Sequence, residues 1–347
     1  MTTQLTTISG AVPEPVLPVE RGEVARVLIL GGVEAHKAAF RVTDVLRQKI
    51  AAQELRVGAL HEADLSAAAW LTQAGVELIA LAGMRNESAD ASALGFIGAT
   101  AIGAGETEAM ANRPFIRCVN GIRLGVVSYG EQRAGAFSGC ADILSLMAYD
   151  QVRSLLSQCD HVVVLIRTGL DAGELPLPEW RARYRRFIDA GASIVVDTGS
   201  ARGWEVYKHG LVFYGLGSPV RADSLGLFLT LRRNGLLDYE VRALSCADGL
   251  LDFSENDAFR AKIDAQNTMF FEDTAYKNAA DQMCLRLYCA RETAQKRGVL
   301  GLFVPHADEE ERLLSLLENE SLRLMTLRAI RCKRAAENAK RENAKKP

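Results

Sequence analysis

Short apolar runs that alternate with helical segments restrict the fold of this chain more than any other feature. The first run, VARVLILGG, is rich in β-branched residues and ends in Gly-Gly, as a buried strand does. The first of these helical segments is predicted over residues 36–55. The alternation continues to about residue 180, after which strands follow one another directly. This order predicts an α/β fold with mixed sheets. The main runs are VARVLILGG (24–32), VELIALAG (76–83), IRLGVVSYG (122–130), HVVVLIRTG (161–169), GLVFYGLG (210–217), LGLFLTLRR (225–233) and DYEVRAL (238–244).

The pattern becomes helical after about residue 246. Residues 254–297 are predicted to be helical, and 308–347 to form one long helix with an apolar face of leucines. We interpret that face as docking on the core, and a helix that binds a protein partner stays open as the alternative. The chain is therefore divided into a flexible lead (1–24), an α/β domain (25–245), a helical extension (246–330) and a basic tail (331–347).

Composition and charge exclude several classes of protein. The 347 residues are 48% hydrophobic and 24% charged, and their net charge of −2 gives no general attraction to nucleic acid or to an anionic membrane. Seven scattered cysteines without a CxxC pair indicate reduced thiols. The N-terminal stretch lacks the features of a signal peptide, and no apolar run is long enough for a membrane span. We expect a cytoplasmic protein that binds no nucleic acid.

A polar loop follows one of the predicted strands and is a candidate position for an active site. Residues 187–207 read FIDAGASIVVDTGSARGWEVY, in which the strand stops at Asp197. In open α/β sheets, active groups lie on loops at the carboxyl ends of strands. Elsewhere, His61, Glu62 and Asp64 form the densest group around a histidine, and we interpret them as the entry to a helix rather than as a metal site.

Four pieces of the sequence, in order, resemble one known family. They are WLTQAGVELIALAG, GAGETEAMANRPFIRCVNGIRLGVVSYGE, FIDAGASIVV and EVYKHGLVFYGLGSP. These pieces are similar to phrases of the CapA family of capsule and poly-γ-glutamate biosynthesis proteins, over roughly residues 25–245. The resemblance implies the calcineurin-like metallophosphoesterase fold, an α/β/β/α sandwich of mixed sheets, here with a C-terminal helical extension. It also implies divalent metal ions held by carboxylate, Asn and His side chains at the strand ends.

The residues at the implied metal positions depart from the family pattern. The family's Asn-Leu-Glu motif has no clear counterpart, and the other four motifs are replaced. In this chain, Gly31-Gly32 replaces the family's Gly-Asp, and Gly83-Met84-Arg85 replaces its Asn-Asn-His. Arg167-Thr168-Gly169 replaces His-Trp-Gly, and Asp197-Thr198-Gly199-Ser200-Ala201 replaces Gly-His-His-Pro-His. We therefore expect no catalytic residues of the family type, no metal ligands and no cofactor.

Charged side chains at and near these positions suggest which kind of pocket replaces the family's metal site. Arg85, Arg167, Asp171 and Asp197 are predicted to form either a salt-bridged pocket or an anion-binding pocket, because arginine is always charged and forks onto carboxylates. The resulting hypothesis is a catalytically inactive family member that binds an acidic ligand or polymer, or a protein partner. The alternative is a hydrolase with a relocated site, using Asp171, Asp197 and Glu34.

Overall fold

The structure is a computed structural model of the full chain. It describes residues 8–11, 24–33, 41–61, 65–83, 98–131, 140–220, 223–233, 235–300, 313–314 and 317–343. Every structural statement below concerns these residues. Glu34, Glu62, Asp64 and Arg85, which figure in the sequence predictions, lie outside them.

A mixed sheet of nine strands forms one half of the core. Its strands are β1 (Ile8–Ala11), β2 (Ala25–Val33), β3 (Arg41–Val42), β4 (Leu55–Leu60), β5 (Leu78–Ala80), β6 (Thr100–Ile102), β13 (Ser224–Arg232), β14 (Gly235–Ala247) and β15 (Leu250–Phe253). The order is β3-β15-β14-β13-β2-β4-β5-β6, with β1 also paired to β14. Strands β2, β4, β5 and β6 run parallel, whereas β13 and β14 are antiparallel to their neighbours.

A second mixed sheet of six strands forms the other half. Its strands are β7 (Phe115–Val119), β8 (Ile122–Gly130), β9 (His161–Arg167), β10 (Ile194–Asp197), β11 (Trp204–Tyr207) and β12 (Gly210–Phe213). The order is β11-β12-β10-β9-β8-β7, in which the four inner strands are parallel and the two edge strands are antiparallel. The parallel inner strands bring the loops after β8, β9 and β10 to one edge of this sheet.

Helices cover the outer faces of both sheets. They are α1 (Asp44–Ala51), α2 (Leu65–Gln73), α3 (Glu108–Ala111), α4 (Met147–Leu155), α5 (Pro178–Asp189), α6 (Asp257–Met269), α7 (Asp273–Leu300) and α8 (Glu320–Asn343). Helices α1 and α2 pack on the first sheet, and α4, α5, α7 and α8 pack on the second. The predicted α/β/β/α sandwich with a C-terminal helical extension is confirmed.

Strand β2 shows why the strands of this chain are unbroken apolar runs in the sequence. Val27 and Ile29 face the core between the two sheets, whereas Leu28 and Leu30 face the helices outside. Successive side chains of a strand point to opposite faces, so a strand buried on both faces needs apolar residues at every position.

Local capping moves some helix starts away from the predicted ones. The helix predicted over 36–55 begins at Asp44, because the Thr43 hydroxyl accepts the Leu46 N–H at its start. The helix predicted over 308–347 is described as α8, where the Asn319 side chain accepts the Leu322 N–H. Helix α8 runs across the boundary at residues 330 and 331, and β1 lies within the lead expected to be flexible. Those domain boundaries stay a prediction.

Helix α8 docks on the body through its first half. Met325 and Ala329 are buried, and Met325 belongs to the cluster that covers the second sheet. Arg328 donates hydrogen bonds to Glu179 of α5 and to Asp281 of α7, which joins three helices. Along the described part of the chain, no helix is both long and apolar enough to cross a membrane.

Candidate functional site

The strand ends of the two sheets meet through closely packed backbone. The Gly32 N–H, at the end of β2, donates to the carbonyl of Thr198 after β10 at 2.9 Å. A Cβ atom added to Gly31 would lie 1.7 Å from the carbonyl oxygen of Gly217. One added to Gly130 would lie 2.1 Å from the Gly83 nitrogen. Glycine is therefore required at these positions, because only a residue without Cβ permits such an approach.

Asp197 ends β10 as a fully buried carboxylate. Its Oδ2 accepts hydrogen bonds from the Tyr184 hydroxyl at 2.5 Å and from the Thr168 hydroxyl at 3.3 Å. Its Oδ1 accepts the Gly199 N–H at 2.7 Å. Burial raises the pKa of Asp197, and the charges of Arg202 and Arg167 offset part of that rise. Both carboxylate oxygens are thus occupied by groups of the protein.

Arg167 ends β9 and is also buried. Its Nη2 donates to Asp171 Oδ1 at 2.5 Å, and its Nη1 donates to the Thr168 carbonyl at 3.3 Å. Its Nε is buried and has no hydrogen-bond partner among the residues that the structure describes. Gly83 and Gly199 lie against this side chain, since a Cβ on either one would come within 2.9 Å of it. The two glycines make room for an arginine at a position where the resemblance implies a metal ligand.

The loop that carries Asp171 is held by Arg202. The Arg202 guanidinium donates to the carbonyls of Leu170 at 2.6 Å, Gly173 at 3.0 Å and Tyr214 at 3.2 Å. The Asp171 carbonyl accepts the Ser200 hydroxyl at 2.7 Å. The backbone around Asp171 is therefore fixed, while its side chain remains 42% exposed beside Arg167.

Glu131 connects this edge to the C-terminal helix. It follows β8, and its carboxylate accepts the backbone N–H of Ser321 at 2.5 Å and the Ser321 hydroxyl at 2.6 Å. It also accepts the N–H of Gly169 in the Arg167 loop at 3.3 Å. Burial raises the pKa of Glu131 despite these hydrogen bonds. The start of α8 is thus tied directly to the loops at the strand ends.

The structure brings together some of the residues singled out in the sequence. Arg167 and Asp171 form an ion pair, and a Cβ added to Gly199 would contact both Arg167 and Asp197. Arg202 is not among the residues predicted from the sequence, although it lies in the same stretch as Asp197. The position of His61 is not predicted either: it follows β4 with its ring against Gly32, where an added Cβ would lie 1.7 Å from Nε2.

The described side chains at the strand ends do not fit the divalent metals implied by the family resemblance. Within the described ranges, no group of three or more His, Cys, Asp and Glu is arranged to hold a metal ion. The carboxylate available at the matched positions is Asp197, whose oxygens accept hydrogen bonds from three protein groups. Carboxylate, Asn and His ligands are replaced by glycine backbone and by the positive charge of Arg167.

Comparisons with known proteins relate this chain to capsule synthesis proteins. Residues 49–222 match the family described as "Bacterial capsule synthesis protein PGA_cap". Over 167 residues the chain is 26% identical to the capsule biosynthesis protein CapA of Bacillus anthracis, a similarity that covers 43% of this chain and 41% of that relative. The match therefore spans less than half the length of this curated relative.

Two solved structures are similar to the chain at low identity. A phosphatase from Mycoplasma pneumoniae has 10% identity and a TM-score of 0.45, and the similarity covers 69% of this chain and 97% of that one. A hypothetical protein from Thermus thermophilus has 14% identity and a TM-score of 0.42, over 63% of this chain and 98% of that one. The family match spans half of the chain, and the chain belongs to the bacterial capsule synthesis protein family PGA_cap.

Proposed function

We propose that this chain is a catalytically inactive member of its family that acts in the metabolism of a capsule or poly-γ-glutamate-type polymer by binding an acidic ligand. The observation that carries the proposal is the ion pair of Arg167 with Asp171 at strand ends where the resemblance implies metal ligands. In this proposal, the guanidinium of Arg167 takes the place of the metal ion that the family resemblance implies.

The packing around Arg167 supports a role in binding rather than in hydrolysis. Glycine backbone fills the space between the strand ends, and Asp197 is fully buried with both oxygens hydrogen-bonded. A general base must reach the proton that it abstracts, and a buried carboxylate without access to substrate fails that requirement. The alternative of a hydrolase that uses Asp171, Asp197 and Glu34 therefore has less support, because Asp197 is too buried to act as its base.

Arg167 has the chemistry to hold a carboxylate. Its Nη2 donates a hydrogen bond to Asp171, whose side chain is half-exposed. A carboxylate of an acidic ligand can bind a guanidinium in a forked geometry. Asp171 then acts as an internal competitor that a ligand must displace.

A titration tests the binding site. Tri-γ-glutamate is titrated into the full chain by calorimetry, with Arg167→Gln, Asp171→Asn and, as a control, Arg113→Gln on the exposed surface. We expect binding that Arg167→Gln removes, that Asp171→Asn strengthens and that Arg113→Gln leaves unchanged. Lack of binding at millimolar ligand, or binding that persists in Arg167→Gln, would contradict the site.

A hydrolysis assay tests the absence of catalysis separately. The full chain is incubated with p-nitrophenyl phosphate and bis-p-nitrophenyl phosphate, in the presence of Mn²⁺, Mg²⁺ or Zn²⁺. We expect no turnover above that of an Asp197→Asn preparation purified in parallel. Metal-dependent turnover that Asp197→Asn removes would show a working active site and favour the hydrolase alternative.

A further inference from the structure

Two cysteines lie on neighbouring helices of the C-terminal extension. Cys284 belongs to α7 and is fully buried, whereas Cys332 belongs to α8 and is partly exposed. Both are free thiols, and they are 48 positions apart in the chain. Their relative position therefore depends on how the two helices pack against each other.

Two contacts show how α7 and α8 are aligned. The guanidinium of Arg328 in α8 donates to Asp281 of α7 at 2.5 Å. Further along both helices, the ammonium group of Lys333 lies 5.4 Å from the ring centre of Tyr288. Residue numbers increase in the same direction from the first contact to the second. The two helices therefore run parallel to each other.

This alignment brings the two thiols to facing sides of the helices. Asp281, Cys284 and Tyr288 stand at positions i, i+3 and i+7 of α7, which lie on one helical face. Cys332 stands four residues after Arg328, on the same face of α8 as that arginine. Each cysteine is therefore about one turn beyond the Arg328–Asp281 pair, in the same direction along its helix.

The usual separation of packed helices suits a disulfide at this place. Packed helix axes are about 8–10 Å apart and Cα atoms lie about 2.3 Å from each axis, so facing Cα atoms are about 3.5–5.5 Å apart. A disulfide joins Cα atoms that are about 4.4–6.8 Å apart. By contrast, the exposed Cys289 is five residues beyond Cys284 and is rotated from it by about 140° around α7.

We infer that Cys284 and Cys332 form a reversible disulfide that holds α8 on α7, with a low-molecular-weight disulfide as the oxidant. The Cys332 thiolate attacks one sulfur atom of the oxidant, the S–S bond of the oxidant breaks, and one thiol leaves. The Cys284 thiolate then attacks the Cys332 sulfur of this mixed disulfide and releases the second thiol. Two protein thiols are oxidised to one disulfide, and the oxidant is reduced to two thiols that take up the two protons.

The surroundings of the two thiols determine the order of these steps. Cys332 is partly exposed, so an external oxidant reaches it first. Burial raises the pKa of both thiols, and that of Cys284 rises to about 12. The Cys284 thiolate is therefore scarce at neutral pH, and the second step is the slow one.

The disulfide would strengthen the docking of α8 on the body. Ser321 at the start of α8 donates to Glu131, and Arg328 one turn before Cys332 pairs with α5 and α7. In the reduced chain these non-covalent contacts hold the helix, whereas in the oxidised chain a covalent bond is added to them. This inference goes beyond the proposed binding function and does not depend on it.

Mass spectrometry identifies the bond directly. The full chain is freed of reductant, incubated with oxidised glutathione, blocked with iodoacetamide and digested with trypsin without reduction. Trypsin cuts after Arg286, between Cys284 and Cys289, so the peptide linked to Cys332 shows which cysteine is its partner. We expect a Cys284–Cys332 link that dithiothreitol removes, in a chain that stays monomeric on a non-reducing gel. A link from Cys332 to Cys289, or a glutathione adduct of Cys332 with Cys284 still reduced, would overturn the inference.

Thermal unfolding tests whether the bond holds the helix in place. Oxidation should raise the melting temperature by about 5 °C, because the cross-link closes a loop of about fifty residues in the unfolded chain. Cys332→Ser should lose this rise, and the matched control Cys289→Ser, at an exposed cysteine of α7, should keep it. Each chain is measured oxidised and reduced, so the comparison does not depend on the intrinsic stability of a variant. An equal rise in all three chains, or no rise in the oxidised wild type, would contradict the role of the bond.

Discussion

The carboxylate of Glu131 accepts hydrogen bonds from both the backbone N–H and the hydroxyl of Ser321, residues that are 190 positions apart in the chain. The same hydroxyl accepts the indole N–H of Trp180 at 2.8 Å. Ser321 is fully buried, so these groups have no access to water as a replacement partner. The first turn of α8 is therefore fixed to the strand ends of the second sheet.

Ser321→Ala should destabilise the fold. The substitution removes the hydroxyl that Glu131 and Trp180 share and leaves buried polar groups without a partner. We expect the free energy of unfolding to fall by about 1–3 kcal/mol. Chemical denaturation measures the change, with Ser157→Ala in the exposed turn after α4 as the control. Equal stability of the two variants would show that the contact to Glu131 contributes nothing.

The raised pKa of Glu131 predicts how stability depends on pH. Because burial raises its pKa in the folded state above the ordinary value, the folded chain binds this proton more tightly than the unfolded chain. The contribution of Glu131 to stability is then fully present at acidic pH and is lost as pH rises through the raised pKa. Denaturation from pH 4 upward should show stability of the wild type falling relative to Glu131→Gln. A difference that stays constant with pH would contradict this assignment.

Gly31→Ala should damage the fold far more than a comparable change in the second sheet. Its new Cβ would meet the backbone carbonyl of Gly217 at 1.7 Å, which the chain can relieve only by separating the strand ends. The matched control is Gly125→Ala in β8, where the nearest atom is the side-chain sulfur of Cys159 at 3.0 Å. We expect a destabilisation of more than about 3 kcal/mol for Gly31→Ala, in the range of severe mutations. Comparable melting temperatures for both variants would argue against close packing of the backbone at Gly31 and Gly217.

The basic tail should be dispensable for folding. Residues 335–339 are exposed, and the segment 331–347 offers few apolar side chains to bury. Deleting residues 335–347 should leave the midpoint of thermal unfolding within experimental error. Deleting residues 320–347 instead removes Ser321, Met325 and Arg328, and should lower it clearly. A large drop for the shorter deletion would show that the tail docks on the body.

The sequence predicts the sandwich well because its inner strands are buried on both faces. Val27, Leu28, Ile29 and Leu30 alternate between two apolar environments, and that burial makes the run visible without a structure. The predicted helix starts are less accurate, since a single hydroxyl, that of Thr43, fixes where α1 begins.

The candidate site is predictable only where its contacts are local or follow from parallel strands. Arg167 and Asp171 are four residues apart, and Asp197 ends the strand next to that of Arg167. The pairing of Glu131 with Ser321 has no local signal, because it depends on how the C-terminal helix packs against the second sheet.

The dependence of stability on metal ions shows whether a fixed Arg167–Asp171 pair or a metal centre occupies the strand ends where the family resemblance implies metal ligands. The full chain is purified without chelator, its content of Mn, Fe, Zn and Mg is determined, and thermal unfolding is followed with and without EDTA. A metal bound only by the folded state would raise the melting temperature by mass action. We predict less than stoichiometric metal and an unchanged melting temperature. A divalent ion near one per chain, together with a chelator-induced drop of several degrees that Asp197→Asn reproduces, would show that these strand ends hold a metal ion.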